Sequence, residues 1–451
     1  MNRKTTVVDN PGRPFLEGLF EELLENSLHY FYPSAQIRRL AASGKVSTVL
    51  RLAESDTNEV RIDWMGARYS LSLEHPLSEH EHRLLNSIGT VLSTRYQVGS
   101  SQSWEMRSRQ LFRGVPEDRY VSAFLDPSFH SSAKVASPKP DRITDAIEVL
   151  RTSSMTTYEN RRVATGALLF GNFPDPCHAQ PVIPREALSY SHPLTTIRSF
   201  HRLCDGLQTI ALVDQSGRFA ELVDIQEWAQ AYSDLPLPVP VSARYEWHSR
   251  ATLCGGHVCL ILTPQGEMRV FGDGVQLFRF IEGKWRLTDS QHNYQIWTQA
   301  LAHADVAERI FRVALNLAEH RRGALLVVLD DPGLADRIIA PNDMLDHESS
   351  LDRTQGSKSQ LHYLLRGKRL TELPSSILEN IARIDGAVVM DAKGRVLTFG
   401  AILRHHSGSD LAVEGGRTTA ALTTSRIGNV LKVSEDGLIS YYAKGNCVWE
   451  M

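Results

Sequence analysis

The sequence predicts an α/β protein: a C-terminal mixed sheet flanked by helices, preceded by α+β and strand-rich regions. Three patterns lead to this prediction. Helical and strand-like apolar patterns alternate at the N-terminus, short strand-like runs between glycine-containing turns fill the middle, and helices alternate with fully apolar runs near the C-terminus. At 451 residues, the chain is too long for one ordinary hydrophobic core, so we expect two or three domains.

The N-terminal patterns predict a small α/β domain at 1–100. Apolar residues at helical spacing predict an amphipathic helix over 14–32. A second helix, over 78–96, has a serine at its start and acidic residues in its first turn, as helix N-termini commonly do. Strand-like runs between the two helices lie at 46–52 and 60–73.

The middle of the chain predicts a linker followed by a strand-rich domain at 140–293. Prolines and serines between about 100 and 141 are typical of a linker, and a helix is predicted over 143–151. The strand-like runs are separated by polar turns that contain glycine, as in β-hairpins. These runs lie at 164–170, 209–214, 219–223, 258–262, 267–271 and 277–281.

The C-terminal region, 300–451, predicts a mixed sheet flanked by helices. A long helix over 295–320 ends in two arginines and a glycine, which suit a helix C-terminus. The apolar run Ala324–Leu329 is typical of a strand buried on both faces. Before the strand that follows Asp385, short helices are predicted at 358–365 and 374–382.

Composition argues against several classes of protein. The net charge of −3 gives no support for binding to nucleic acids or anionic membranes. No window approaches 18 uninterrupted apolar residues, and the N-terminus lacks the apolar core of a signal peptide. We therefore expect a cytoplasmic protein without a membrane span. The five cysteines predict reduced thiols, and the spacing of Cys254, His257 and Cys259 favours buried side chains over a zinc site.

Two acidic segments supply candidate metal ligands. Asp385 precedes an apolar strand, and carboxylates in such positions hold Mg²⁺ or Mn²⁺. Gly386 permits close approach to the backbone, and Ala387 leaves space beside it. Glu435 lies in a second acidic segment, 433–437. Taken singly, these segments are equally compatible with ordinary turns and hairpins.

A glycine-rich segment, Gly415 to Thr419, supplies candidate phosphate ligands. Gly415 and Gly416 allow successive N–H groups to point at one anion. Arg417 adds a planar fork of donors suited to phosphate, and Thr418 and Thr419 add hydroxyl groups. With a metal site, these are the parts that phosphoryl or nucleotidyl transfer requires.

Residues from about 300 to 451 resemble the diadenylate cyclase (DAC) domain family, which condenses two ATP molecules into cyclic di-AMP. The resemblance rests on Ala324–Leu329 with its preceding helix, the Asp385-Gly386-Ala387 triplet, the Gly-Arg-Thr-Thr-Ala-Ala segment, and the closing strand pair. The region before it loosely resembles sensor regions joined to some DAC domains. The resemblance thus implies an ATP-using nucleotidyltransferase controlled by an N-terminal sensor-like region.

The resemblance also implies roles for individual residues. Asp385 and Glu435 would bind Mg²⁺ or Mn²⁺, and Asp385 would help to activate the attacking ribose 3′-hydroxyl. Arg417, Thr418 and Thr419 would act on phosphate as catalytic residues. The implied nucleotide-binding residues are Gly386, Ala387, Gly415, Gly416 and Ser425. Because two domains of this family face each other, each with one ATP, the resemblance implies a homo-oligomer.

One departure from the family leaves the function open. The family motif is Arg-His-Arg, whereas this chain has Arg417-Thr418-Thr419. Losing a cation and an imidazole removes charge-assisted phosphate contacts, unless the threonines or the nearby Arg404, His405 and His406 replace them. The alternative is a catalytically weak or inactive domain that serves as a receptor for ATP or a cyclic dinucleotide. A third interpretation is a structural protein whose C-terminal resemblance is topological.

Overall fold

The computed structural model has mixed sheets flanked by helices and divides into two compact units, which confirms the predicted α/β class. The first unit comprises Met1–Leu235 and His248–Thr288, and the second comprises Pro236–Trp247 and Asp289–Met451. The finer division at 1–100, 140–293 and 300–451 stays a prediction. The structure describes residues 13–40, 47–56, 58–73, 75–100, 111–130, 140–197, 199–346, 358–404 and 415–451.

The N-terminal part of the first unit is a four-stranded antiparallel sheet, ordered β1-β4-β3-β2, with two long helices. The strand predicted over 60–73 is wrong, because positive φ at Met65 and Gly66 turns it into a β3–β4 hairpin. Ser78 caps the second helix in a capping box with Glu81, as the sequence indicates. The elements are α1 Arg13–Phe31, β1 Gln36–Leu40, β2 Arg51–Asp56, β3 Glu59–Trp64, β4 Ala67–Ser72 and α2 Glu79–Gly99.

The remainder of the first unit is built on a seven-stranded sheet, ordered β13-β12-β11-β10-β7-β8-β9. Only the pair β7–β8 is parallel, and α4 packs against β7 and β10. Its helices are α3 Pro116–Leu125, α4 Arg142–Ser154, α5 Phe200–Leu203 and α6 Ile225–Ala229. Its strands are β5 Thr157–Tyr158, β6 Arg161–Arg162, β7 Thr165–Leu169, β8 Thr209–Val213, β9 Phe219–Asp224, β10 Val258–Leu262, β11 Met268–Gly272, β12 Val275–Ile281 and β13 Lys284–Leu287; β5 and β6 form a separate hairpin. The boundary between the two units falls within α7 Glu246–Arg250.

The second unit is built on a six-stranded sheet, ordered β16-β15-β14-β17-β18-β19. The pair β14–β15 is parallel and the other pairs are antiparallel. Its helices are α8 Ser290–Ala300, α9 Ala304–Glu319, α10 Ala335–Ile338, α11 Ser375–Ala382 and α12 Gly416–Thr424. Its strands are β14 Ala324–Leu329, β15 Ala387–Asp391, β16 Val396–Ala401, β17 Gly428–Val433, β18 Ile439–Ala443 and β19 Asn446–Glu450.

Short 3₁₀ helices connect many of these elements, and one of them replaces a predicted α-helix. The segment predicted as a helix over 358–365 is a 3₁₀ helix, Lys358–Leu364. The others lie at Pro127–Phe129, His192–Thr196, Gln230–Tyr232, Ala243–Tyr245, Pro332–Leu334, Pro341–Asp343 and Leu370–Glu372.

The single helix predicted over 295–320 is wrong, because the chain forms α8 and α9 with a break between them. Leu301 has extended backbone angles, and the second helix begins at Ala304. The indole Nε1 of Trp297, which is fully buried, donates to the carbonyl of Ala307 at 2.9 Å. The break lets Trp297 and the apolar stripe of α9 pack into the same core.

Two acidic residues lie at the start of α4, the buried Asp141 and the half-buried Asp145. Asp141 caps the helix by accepting from the backbone N–H of Thr144 at 3.1 Å, and it also pairs with Arg119. Although burial opposes ionisation, hydrogen bonds and Arg119 hold the pKa of Asp141 below its usual range. Burial and the nearby Asp141 raise the pKa of Asp145 to about 6. Asp145 therefore keeps its proton to a higher pH in the folded state than in the unfolded chain.

We predict that Asp145→Asn stabilises the protein at neutral pH. The pKa of Asp145 is higher in the folded than in the unfolded state, so binding of its proton stabilises the folded protein. This stabilisation is complete below about pH 4 and is lost as the pH rises through 6. The variant should gain about 1–3 kcal/mol over wild type at pH 7.5, and the gain should shrink toward pH 4.5. Urea unfolding at both pH values measures it, with the exposed Asp234→Asn as control. A gain that does not vary with pH would contradict this account.

A second prediction concerns two glycines of the second unit. Gly386 has φ +112°, and a Cβ there would lie 2.5 Å from the carbonyl carbon of Gly400. Gly386→Ala should therefore destabilise the second unit by about 2–5 kcal/mol, from strained backbone and overpacking. A Cβ at Gly416 would meet no atom within 4 Å, so Gly416→Ala should change stability by at most about 1 kcal/mol. Urea unfolding measures the stability of both variants, and an equal loss of stability in the two would refute this explanation.

Candidate functional site

The order of strands brings three chain segments to one edge of the second unit's sheet. Strands β14 and β15 are parallel, so both begin at this edge, and β17 is antiparallel to β14, so it ends there. Gly323, Asp385 and Glu435 lie in the segments that flank these strand ends. The predicted metal ligands therefore come from neighbouring strand ends, although 50 residues of sequence separate them.

Arg417 links the two carboxylates. Its Nη1 lies 3.1 Å from Oε1 of Glu435, and its Nη2 lies 3.8 Å from Oδ1 of Asp385. The side chain of Asp385 is 97% exposed and that of Glu435 is 74% exposed, whereas Arg417 is 40% exposed. Oxygen ligands and a guanidinium thus meet at an open surface, where a phosphate and a divalent cation both find partners.

Gly323 makes room for this arginine. A Cβ at position 323 would lie 2.2 Å from Nη1 of Arg417 and 3.3 Å from Cγ of Glu435. The sequence marks Gly323 as the end of a helix, and its contact with Arg417 depends on the three-dimensional fold. The glycine therefore allows the guanidinium to lie close to the backbone before β14.

The Asp385-Gly386-Ala387 segment has a structural explanation of its own. Gly386 lies against the backbone of Gly400 and Ala401, so the group that approaches it closely belongs to the neighbouring strand. Ala387 is buried in the core beneath α12. Contact of Gly386 and Ala387 with a nucleotide stays a prediction.

The start of α12 presents backbone donors beside Arg417. Gly415 precedes the helix with φ +92° and supplies no side-chain cap. The first bond within the helix runs from the N–H of Thr419 to the carbonyl of Gly415 at 3.2 Å, so the N–H groups of Gly416, Arg417 and Thr418 have no partner within the helix. Since a helix N-terminus carries partial positive charge, this turn is suited to an anion.

The two threonines differ in their partners. The hydroxyl of Thr419 donates to the carbonyl of Gly415 at 3.3 Å, within its own helix. The hydroxyl of Thr418 instead accepts from Nζ of Lys432 at 3.2 Å. Sequence reasoning missed Lys432, whose only local feature is its position among the apolar residues Val430, Leu431 and Val433 of β17, a feature that indicates no particular function.

The remaining predicted residues lie elsewhere or outside the described residues. Ser425 is buried at the far end of α12, roughly 12 Å along the helix from Arg417, and its hydroxyl accepts from the N–H of Gly445 at 3.1 Å. Its predicted nucleotide contact stays a prediction. Arg404 is exposed, and its backbone N–H donates to Ile338. The other two candidates, His405 and His406, lie outside the described residues.

Two observations bear on the metal and membrane expectations. Among the residues that the structure describes, no group of three or more His, Cys, Asp or Glu side chains is placed to hold a metal ion. The helices of the described ranges include none that is long and apolar enough to cross a bilayer. A metal bound at Asp385 and Glu435 would therefore need further ligands from the substrate or water.

One known protein family matches part of the second unit. Residues 312–447 match the family model described as DAC, the DisA bacterial checkpoint controller nucleotide-binding domain. No curated protein matches the chain. A hypothetical membrane spanning protein from Bacillus cereus is 21% identical over 34% of this chain and 69% of its own, with a TM-score of 0.26. A double mutant of DacA from Staphylococcus aureus is 20% identical over 32% of this chain and 83% of its own, with a TM-score of 0.20. The C-terminal third of the chain contains a DAC domain.

Proposed function

We propose that the DAC domain condenses two ATP molecules into cyclic di-AMP and that the first unit is a sensor region controlling this reaction. The observation that carries the proposal is the grouping of Asp385, Arg417 and Glu435 at one sheet edge, beside the open first turn of α12. Carboxylates, a guanidinium and backbone donors are the groups that a nucleoside triphosphate and its cation require. The family assignment supports nucleotide binding at this domain.

The residues at this edge fit a divalent cation. Asp385 and Glu435 offer only oxygen ligands, and both side chains are exposed. Mg²⁺ is commonly held by one or two carboxylates together with substrate phosphates and water, so two protein ligands suffice. Bound there, Mg²⁺ or Mn²⁺ would neutralise phosphate charge.

The protein's own groups then have distinct tasks. Arg417 and the first turn of α12 bind phosphate oxygens and hold the α-phosphate in place. In this proposal, the carboxylate of Asp385 orients the ribose 3′-hydroxyl and receives its proton. The 3′-oxygen forms a bond to the α-phosphorus, the bond to pyrophosphate breaks, and a second such transfer closes the ring.

Ring closure requires two such domains, because each presents one ATP. Hydrophobic residues beside the site suit a face-to-face contact between two copies. Ile402 is 80% exposed, and Ile384, next to Asp385, is 40% exposed. Apolar side chains around a polar site are typical of a surface that another protein covers. We therefore propose that the active form is a homo-oligomer with facing DAC domains.

The second candidate function is a nucleotide receptor without appreciable turnover. The observation that favours it is the sequence Arg417-Thr418-Thr419, in which Thr419 is engaged with its own helix. Fewer charged donors at the phosphates reduce stabilisation of the transition state more than they reduce binding. The same site would then bind ATP or a cyclic dinucleotide and signal occupancy.

We predict that the purified chain with ATP and Mn²⁺ or Mg²⁺ forms cyclic di-AMP, and that Asp385→Asn lowers the rate at least about 100-fold. The variant loses a metal ligand and the group that orients the hydroxyl. Chromatography of the products measures the rate, and Asp305→Asn, an exposed acid at the start of α9, is the control. ATP binding without product under either metal would favour the receptor, and absence of ATP binding would refute both functions.

Glu435 provides a separate test of the metal site. Glu435→Gln should raise the Mn²⁺ concentration needed for half-maximal ATP binding about tenfold, because one charge-assisted ligand is lost. The matched control is Asp436→Asn, in the same turn, whose carboxylate instead accepts from the hydroxyl of Ser434. Calorimetric titration of ATP at several Mn²⁺ concentrations measures this. If the two variants show the same metal dependence, Glu435 is not a ligand.

A further inference from the structure

We propose that Lys432 binds the phosphates of the nucleotide and, through Thr418, supplies the positive charge that the Arg-Thr-Thr sequence lacks. The inference rests on the proposed function, whose site it completes. The family motif has an imidazole where this chain has Thr418 and a second guanidinium at Thr419. Here the missing charge comes from a different element, strand β17.

The position of Lys432 in the sheet is the first argument. It is the half-buried member of a strand whose other residues are all buried. It pairs with Leu325 on one side and Ser440 on the other. Side chains alternate along a strand, so Lys432 shares a face with Val430, which packs in the core beneath α12. The lysine therefore lies on the face that α12 covers, at the end where that helix begins.

The partners of Lys432 are the second argument. Its Nζ donates to the hydroxyl of Thr418 at 3.2 Å and lies 5.8 Å from the ring centre of Tyr442. None of the described carboxylates forms an ion pair with it. By contrast, Lys358 of the same unit pairs with Asp343 at 2.8 Å. A half-buried ammonium without an anionic partner is stabilised when an anion binds beside it.

The nearby thiol of Cys447 does not provide that anion. Cys447 is exposed, but partial desolvation of its thiol raises its pKa and Glu450 raises it further, while the ammonium of Lys432 acts in the opposite direction. The thiol therefore stays protonated at neutral pH. Among the described residues, no anion therefore neutralises Lys432, and its positive charge is available to a ligand at the start of α12.

The chemistry of the pair is the third argument. An ammonium has three donors, of which one is used on Thr418. Because the oxygen of Thr418 accepts that bond, its own hydrogen is free to be donated to a phosphate oxygen. The hydroxyl lies in the first turn of α12, beside Arg417 and the backbone N–H groups that have no partner within the helix. Thr418 and Lys432 together thus present an added donor and a positive charge, as an imidazolium would.

The test compares Lys432→Met with Lys393→Met. Lys393 is an exposed lysine in the turn after β15, at the opposite end of that strand from Asp385. ATP affinity is measured by calorimetry, adenosine binding by ligand-observed NMR, and the melting temperature of each free variant by circular dichroism. We expect Lys432→Met to weaken ATP binding at least about tenfold with adenosine binding unchanged, Lys432→Arg to retain most of the affinity, and Lys393→Met to resemble wild type.

The outcomes separate this inference from the proposed function. If wild type binds ATP and Lys432→Met binds it equally well, the role of Lys432 is refuted while the nucleotide site stands. If the affinities for ATP and adenosine fall by the same factor in Lys432→Met, Lys432 is structural and the inference is also refuted. A lower melting temperature with an unchanged ratio of ATP affinity to adenosine affinity leads to the same conclusion. If wild type does not bind ATP, both proposals are overturned. A double variant with Thr418→Val should lose less than the sum of the single losses, because the two residues act as one unit.

Discussion

Strand β14 lies at the centre of the DAC domain, and its pairing determines where the other parts of the site can lie. All six of its residues are buried, and their side chains alternate between two separate hydrophobic cores. A shift of one residue in register would exchange these cores, so the register is strongly specified. With β14 fixed, the parallel β15 must begin, and the antiparallel β17 must end, at the same edge. The relation of Asp385 to Glu435 therefore follows from packing in the core.

Glycines set how closely the segments at this edge approach. Gly323 leaves the space that the guanidinium of Arg417 occupies, and Gly386 allows β15 to lie against the backbone of Gly400. At the other end of β14, a Cβ at Gly428 would lie 2.4 Å from the carbonyl oxygen of Val328. At Gly323 a side chain would meet the guanidinium of Arg417, whereas at Gly386 and Gly428 it would meet the backbone of a neighbouring strand. The shape of the site thus depends on backbone contacts as much as on its charged groups.

Local patterns in the sequence identified much of the second unit. An unbroken apolar run predicts β14, because a strand buried on both faces needs no polar residues. The break between α8 and α9 was missed, since it depends on the packing of Trp297 against α9 rather than on a glycine or proline. Similarly, the β3–β4 turn contains Met65 at positive φ, a conformation that methionine rarely adopts.

The candidate site shows the same division between local and long-range information. Asp385 and Arg417 are recognisable because each lies in a short segment whose residue types suit its chemistry. Lys432 carries no such local signal, because a lysine within an apolar strand is equally compatible with an exposed strand face. Its relevance depends on the register that places β17 beside β14 and on the helix that covers it. Residues of this kind are identified only when the two elements are seen together.

The ion pairs of Arg417 raise the question of whether they prevent nucleotide binding. Each partner carboxylate is largely exposed, and exposed ion pairs typically contribute only about 0–1 kcal/mol. A hydrogen bond between a charged donor and phosphate contributes about 1.5–3 kcal/mol, so phosphate can displace the carboxylates from Arg417. In the proposed site, this exchange would also free Asp385 and Glu435 for a cation. In the free protein, the same pairs keep the three side chains close together, which would reduce the entropy lost if the proposed ligand binds there.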